Sequence, residues 1–170
     1  MTVIENAIGG TRAPSRSART AAIYNPATGE QSATLHLSTA DEVAEAIAAA
    51  KAAFPAWRDT PPAKRARCMF RFKELLSAHA DDIARAISAE HGKTHDDALG
   101  EVARGIEVVE FACGIPHLLK GEYSENVARG IDVYSMRQAL GVCAGITPFN
   151  FPAMVPMWMF AVAIACGNTF

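Results

Sequence analysis

Residues 145–152 read GITPFNFP, so one amide side chain, Asn150, stands between two aromatic rings and two prolines. The surroundings are apolar, and from residue 138 to residue 170 there is no charged side chain. An asparagine in such a place has two uses. Its oxygen can cap the start of a helix. Its NH2 can also donate a hydrogen bond to an oxygen that gains negative charge during a reaction, where a donor is worth roughly 3–4 kcal/mol.

Arg104 is the second residue with chemical potential. It lies one helical turn from both Glu101 and Glu107, a spacing that makes an ordinary helical ion pair. A guanidinium is also a two-pronged donor that matches a carboxylate. His91 and His95 are four apart in HGKTH, but Gly92 stands where a zinc-protease motif needs glutamate. Zinc is disfavoured, and a solvated helix end is the better reading. Cys68, Cys113, Cys143 and Cys166 contain no C-x-x-C pair, and three of them lie among apolar residues. They read as reduced, mostly buried thiols of a cytoplasmic protein.

Half of the 170 residues are apolar and a fifth charged, a globular composition. Sixteen basic and eighteen acidic residues leave no basic block, which gives nucleic-acid binding no support. The first twenty residues carry Arg and Ser but no apolar signal-peptide core, and Glu5 and an early Ile-Gly-Gly turn count against a transit peptide. The uncharged stretch 138–170 is broken by Pro148, Pro152 and Pro156, so a membrane span is not expected.

The elements that must position these groups can be read along the chain. IYNPATGEQSATLHL gives two extended segments around a turn. Ser38-Thr39-Ala40-Asp41-Glu42 opens a helix with Val43, Ile47, Ala50 and Phe54 on one stripe, ended by Pro55. Pro61-Pro62 opens another, with Met69, Phe70, Phe72, Leu75 and Leu76 apolar and Lys64, Arg65, Arg67, Arg71 and Lys73 on a solvated face. A third helix spans 80–90 with Gly92 as its cap. A fourth spans 97–117, stopped by Pro116. Residues 131–137 alternate as a strand. Residues 140–146 form a continuous apolar run, as in a parallel strand buried on both faces. Asn150 can cap the next helix, Pro156 restricts or kinks it, and Gly167-Asn168 closes it. Thr169-Phe170 begins another strand. A single strand and crossover helix cannot bury both sheet faces, so residues 138–170 are expected to need further protein.

YNPATGE, EHGKTHDDALGEV, ARGIEVVEFAC, LGVCAGITPFNFPAMVP, MVPMWMF and GNTF together resemble the aldehyde dehydrogenase superfamily. Within it they are most similar to the CoA-acylating methylmalonate-semialdehyde dehydrogenases, with Phe149 where many relatives carry Trp. The resemblance spans nearly the whole chain but only about the first third of a family protein. Ala139 and Ala161 stand where the family pattern has proline, which merely relaxes a restraint.

The resemblance implies an α/β fold: the N-terminal part of the family fold, helical segments plus the start of a Rossmann-like parallel sheet and part of an oligomerisation hairpin. Residues 1–122 would be the first strands and helices of the NAD-binding domain, 123–138 the hairpin strand region, and 139–170 the start of the Rossmann-like sheet. It implies oxidation of a small semialdehyde with NAD, the acyl group passing to coenzyme A with loss of the β-carboxylate. Asn150 matches the oxyanion-hole amide. Thr147, Pro148 and Phe149 match the strand end beside the nicotinamide ribose, where ligands of parallel sheets bind. Arg104 matches the arginine that binds the substrate carboxylate. The nucleophilic cysteine, the general-base glutamate and the adenosine-ribose lysine fall outside these residues, so the chain alone is expected to be inactive. The parent is expected to be a homo-oligomer, a dimer or tetramer. Two alternatives stay open: a hydrolytic aldehyde dehydrogenase of another subfamily, and a non-catalytic folding or oligomerisation module.

Overall fold

The computed structural model describes residues 2–170. Three short strands open the chain: β1 (Thr2–Ile4), β2 (Asn6–Ile8) and β3 (Thr11–Ala13). The early Ile-Gly-Gly turn joins β2 and β3 as an antiparallel hairpin, with Gly9 and Gly10 both at positive φ. β4 (Thr20–Tyr24) and β5 (Gln31–His36) are the two extended segments expected around the NPATG turn. They pair antiparallel, while β1 pairs parallel to β5, giving a sheet in the order β1-β5-β4.

Helix α1 (Ala40–Arg58) starts as its sequence demands. Thr39 and Glu42 form a reciprocal capping box. Pro55 does not end it: the helix runs on to Arg58, because a proline removes one ladder bond without preventing the next turn, and the Asp59 N–H closes on the Pro55 carbonyl at 3.1 Å. The stripe of α1 is not covered either, with Val43 and Ile47 about half exposed. α2 (Pro62–Ala78) begins just after Pro61. Of its apolar residues Met69 is buried, while Phe70 and Leu75 are exposed.

One residue of the supposedly solvated basic face of α2 is in fact buried. The Arg65 guanidinium donates to the carbonyls of Arg58, Thr60 and Ala165, and so caps the ends of two other segments.

α3 (Ala80–His91) ends at Gly92 in the left-handed conformation, φ +83°, as expected. α4 (His95–Cys113) is shorter than its sequence suggested. The chain breaks at Gly114 and resumes as the single turn α5 (Ile115–Leu118), in whose first turn Pro116 has no N–H to lose. α4 is the centre of the helical layer. Met69, Val109, Ala112, Cys113, Ile115, Met157, Ala161 and Ala165 form one core cluster, and Ala84, Ile87, Ala98 and Val102 a second. Gly105 allows the close approach of the last helix: a Cβ there would meet Met157 Cε at 2.5 Å.

β6 (Tyr123–Ala128) and β7 (Ile131–Tyr134) form an antiparallel hairpin exposed on both faces. β7 stops at Tyr134, three residues short of the expected strand. Residues 140–146 do not form a buried strand. Only Val142 bridges Thr169 in the parallel sense, with Cys143 N–H to Thr169 O at 2.8 Å, and Leu140 and Ile146 are 93% and 95% exposed. No second strand flanks this pair among the described residues, and a parallel strand needs neighbours to be buried.

The last helix, α6, spans Met154–Ala165. Pro156 falls in its first turn, where the missing N–H has no intrahelical partner anyway, so no kink is required. Gly167 and Asn168 close it as expected: Asn168 Nδ2 donates to Ala163 O at 3.1 Å, and its Oδ1 accepts from the N–H groups of Leu140 and Gly141. Among the described residues no helix is long and apolar enough to cross a membrane.

Candidate active-site loop at the start of the last helix

The loop between the parallel bridge and α6 carries the residues singled out from the sequence. Thr147, Pro148, Phe149 and Asn150 are all exposed, Phe149 to 89%. The Asn150 side chain caps nothing. α6 has Ala153 at its N-cap, without a side-chain cap, and the Asn150 amide makes no hydrogen bond among the described residues.

The cap comes instead from α4. The fully buried Glu101 carboxylate accepts the N–H groups of Ala153 (2.8 Å) and Met154 (3.1 Å) through Oε1. A negative group at a helix N-terminus satisfies orphan donors and faces the positive end of the dipole. Its other oxygen, Oε2, takes the ammonium of Lys93 at 2.6 Å. Burial alone would push the Glu101 carboxyl up, but Lys93 and the two amides outweigh it and hold the group below its ordinary value. Lys93 also donates to the Asn150 carbonyl at 3.0 Å. Sequence reading treated Glu101 only as a neighbour of Arg104 and did not single out Lys93. The HGKTH–x5–E spacing holds the pair, but only the turn at Gly92 brings α3's end and α4's flank together.

Arg104 forms no ion pair with Glu101 or Glu107 among the described residues; its guanidinium is exposed and lies over the Phe151 ring at 5.7 Å. Lys93 Nζ lies against the same ring at 4.7 Å. Phe151 thus links Arg104 to the Asn150 loop. The helical ion pair is therefore not what occupies this arginine.

None of the four cysteines is disulfide-bonded. Burial pushes the thiols of Cys113 and Cys166 up, in the second case against the pull of Arg65, which does not favour a nucleophilic thiolate. His91 and His95 belong to different helices; His95 Nε2 meets Asp81 Oδ1 at 2.8 Å. No group of three or more His, Cys, Asp or Glu able to hold a metal occurs among the described residues.

The profile of the aldehyde dehydrogenase family matches residues 13–170. The chain is 59% identical over 152 residues to the malonate-semialdehyde dehydrogenase of Pseudomonas aeruginosa, covering 89% of this chain and 31% of that protein. It is 51% identical to the acylating, mitochondrial methylmalonate-semialdehyde dehydrogenase of Arabidopsis thaliana, covering 98% and 28%. Among solved structures, the methylmalonate-semialdehyde dehydrogenase of Oceanimonas doudoroffii superposes with a TM-score of 0.95 at 58% identity, over 99% of this chain and 34% of that one. A Sinorhizobium meliloti protein assigned to the same activity, and solved in complex with NAD, gives 0.96 at 51% identity, over 99% and 34%. The chain thus spans about a third of the length of these relatives, between 28% and 34%.

Proposed function

Because the chain belongs to the aldehyde dehydrogenase family, we propose that it supplies the first third of an NAD-dependent, CoA-acylating semialdehyde dehydrogenase. Its substrates would be malonate or methylmalonate semialdehyde. The aldehyde carbon is oxidised, the acyl group is taken by coenzyme A to give acetyl- or propionyl-CoA, and the β-carboxylate leaves as carbon dioxide or bicarbonate. The names of the relatives, and the NAD held by one of them, support this reading.

The observation that carries it is the free Asn150 amide. It is exposed, without a partner among the described residues, and tied through Phe151 to an unpaired arginine. In this reading the Asn150 NH2 donates to the substrate oxygen as negative charge builds there. Arg104 forks the substrate carboxylate and sets the aldehyde's orientation. Thr147, Pro148 and Phe149 flank the nicotinamide ribose. These loop residues are exposed, and their place beyond the end of a parallel bridge suits a dinucleotide. When bound, NAD supplies the hydride acceptor.

The test is Arg104→Leu in the longer enzyme carrying this segment. Use of malonate semialdehyde should fall far more than use of propanal, and turnover of the unaltered enzyme should require coenzyme A. Equal losses on both substrates would remove Arg104 from the site. CoA-independent turnover would favour the hydrolytic alternative. The 170-residue chain by itself should show no turnover with NAD, coenzyme A and malonate semialdehyde.

A second reading rests on β6–β7. Tyr123, Val127, Ile131, Val133 and Tyr134 are all more than half exposed on this hairpin. We assign it to contact with another copy in a homo-oligomer, a dimer or tetramer, and the four free thiols accord with a cytoplasmic setting. The limits 1–122, 123–138 and 139–170 serve as working boundaries of the first domain portion, the hairpin and the start of the sheet.

A further inference from the structure

The loop that carries Asn150, with the start of α6, is held at three backbone groups by one buried ion pair. Glu101 is fully buried, and the Lys93 side chain is 11% exposed. Glu101 holds the amides of Ala153 and Met154, and Lys93 holds the Asn150 carbonyl. An ion pair taken out of water gains little for stability over an apolar pair of equal volume. Apart from their mutual pair, however, the hydrogen bonds of these two charges all go to backbone groups of 150–154. The Asn150 side chain is left free while its own carbonyl is tethered.

We propose that Lys93 and Glu101 are a positioning pair for the reaction. Glu101 fixes the start of α6, and Lys93, held by Glu101, fixes the Asn150 carbonyl, which sets where the Asn150 NH2 points. Through the Phe151 ring the same ammonium also fixes the platform on which Arg104 lies. The proposal rests on the reading of Asn150 as donor to the reacting oxygen.

Two variants separate positioning from mere support. Lys93→Met leaves Glu101 charged and unpaired, and so threatens the fold. Lys93→Met with Glu101→Gln removes both charges and spares the core. In amide hydrogen exchange of the longer enzyme, the N–H groups of Phe149, Asn150, Phe151, Ala153 and Met154 should exchange faster in the double variant, while those of α3 and α4 are unchanged. In the longer enzyme the double variant should lose about 100-fold in kcat, the scale of a 1 Å misplacement, with NAD affinity far less affected. Lys93→Arg should recover most of it.

An unchanged loop in the double variant would overturn the proposal. So would a loss of kcat matched by an equal loss of NAD affinity and thermal stability, since that marks a structural role. Undiminished turnover in Asn150→Ala would remove the donor reading and the catalytic half of the proposal with it. The exchange measurement judges the tether independently of that result.

Discussion

The indole N–H of Trp57, in the last turn of α1, donates to the carbonyl of Ile164, 107 residues later, at 2.8 Å. Beside it, Arg65 Nε donates to the carbonyl of Ala165 at 3.0 Å. Two side chains from the first two helices therefore bond carbonyls of the last turn of α6, that of Ile164 shared with the Gly167 N–H at 2.9 Å and that of Ala165 held by Arg65, and they fix where the helix hands over to the Thr169 bridge. Trp57→Phe should cost about 1 kcal/mol, the net value of one such bond, measured as a shift in denaturant midpoint at constant m.

Arg65→Met removes more. Its guanidinium serves three carbonyls from within the core, and methionine fills the space but leaves all three without a donor. The expected loss is about 3 kcal/mol, read by chemical denaturation, with exchange of the amides near residue 168 accelerated first. Lys in place of Arg should recover only part, because an ammonium cannot spread three bonds in a plane.

Glu42 sets an acid limit on the N-terminal segment. The Thr39 and Arg16 backbone N–H groups hold its carboxyl down to about 2, with Ser15 Oγ adding a further donor, against an ordinary value of 4.5. A depressed carboxyl contributes stability that is complete above about 4.5 and fades as the pH falls toward about 2. Between these limits the wild-type chain should lose stability more steeply than Glu42→Gln, and the Arg16 amide should lose its exchange protection. Parallel acid curves for the two proteins would count against the assignment.

Gly105→Ala tests the packing of α6 on α4. The new methyl would lie 2.5 Å from Met157 Cε and 3.0 Å from its Sδ. The thioether end can swing aside, so the cost should be about 1–3 kcal/mol rather than loss of the fold. Shortening the neighbour in Gly105→Ala/Met157→Val should recover part of it, a coupling that a double-mutant cycle in thermal unfolding would read.

Local signals were legible wherever one turn of chain carries its own explanation. Thr39 with Glu42, Pro61-Pro62, the left-handed Gly92 and the Gly167-Asn168 stop each act within a few residues, and each occurs where its chemistry requires. Pro55 and Pro116 were harder to read because a proline forbids one hydrogen bond and not a whole helix. The side chain of Asn150 illustrates the other limit. Its residue type permits a cap, yet a carboxylate from another helix took that place, and no local pattern can announce a competitor 49 positions away.

By itself, the sequence determined which segments are helical and several of their start and stop signals, and through its motifs the family and the residues to watch. These follow from backbone propensity and side-chain period, which act over a few residues. Only the tertiary structure decided that Arg65 and Glu101 are buried, that Lys93 reaches the Asn150 carbonyl, and that Arg104 lies on an aromatic ring rather than beside an acid. Whether a charge is solvated, paired or spent on a backbone carbonyl depends on which distant segments exclude water around it, and that is a property of packing, not of spacing along the chain.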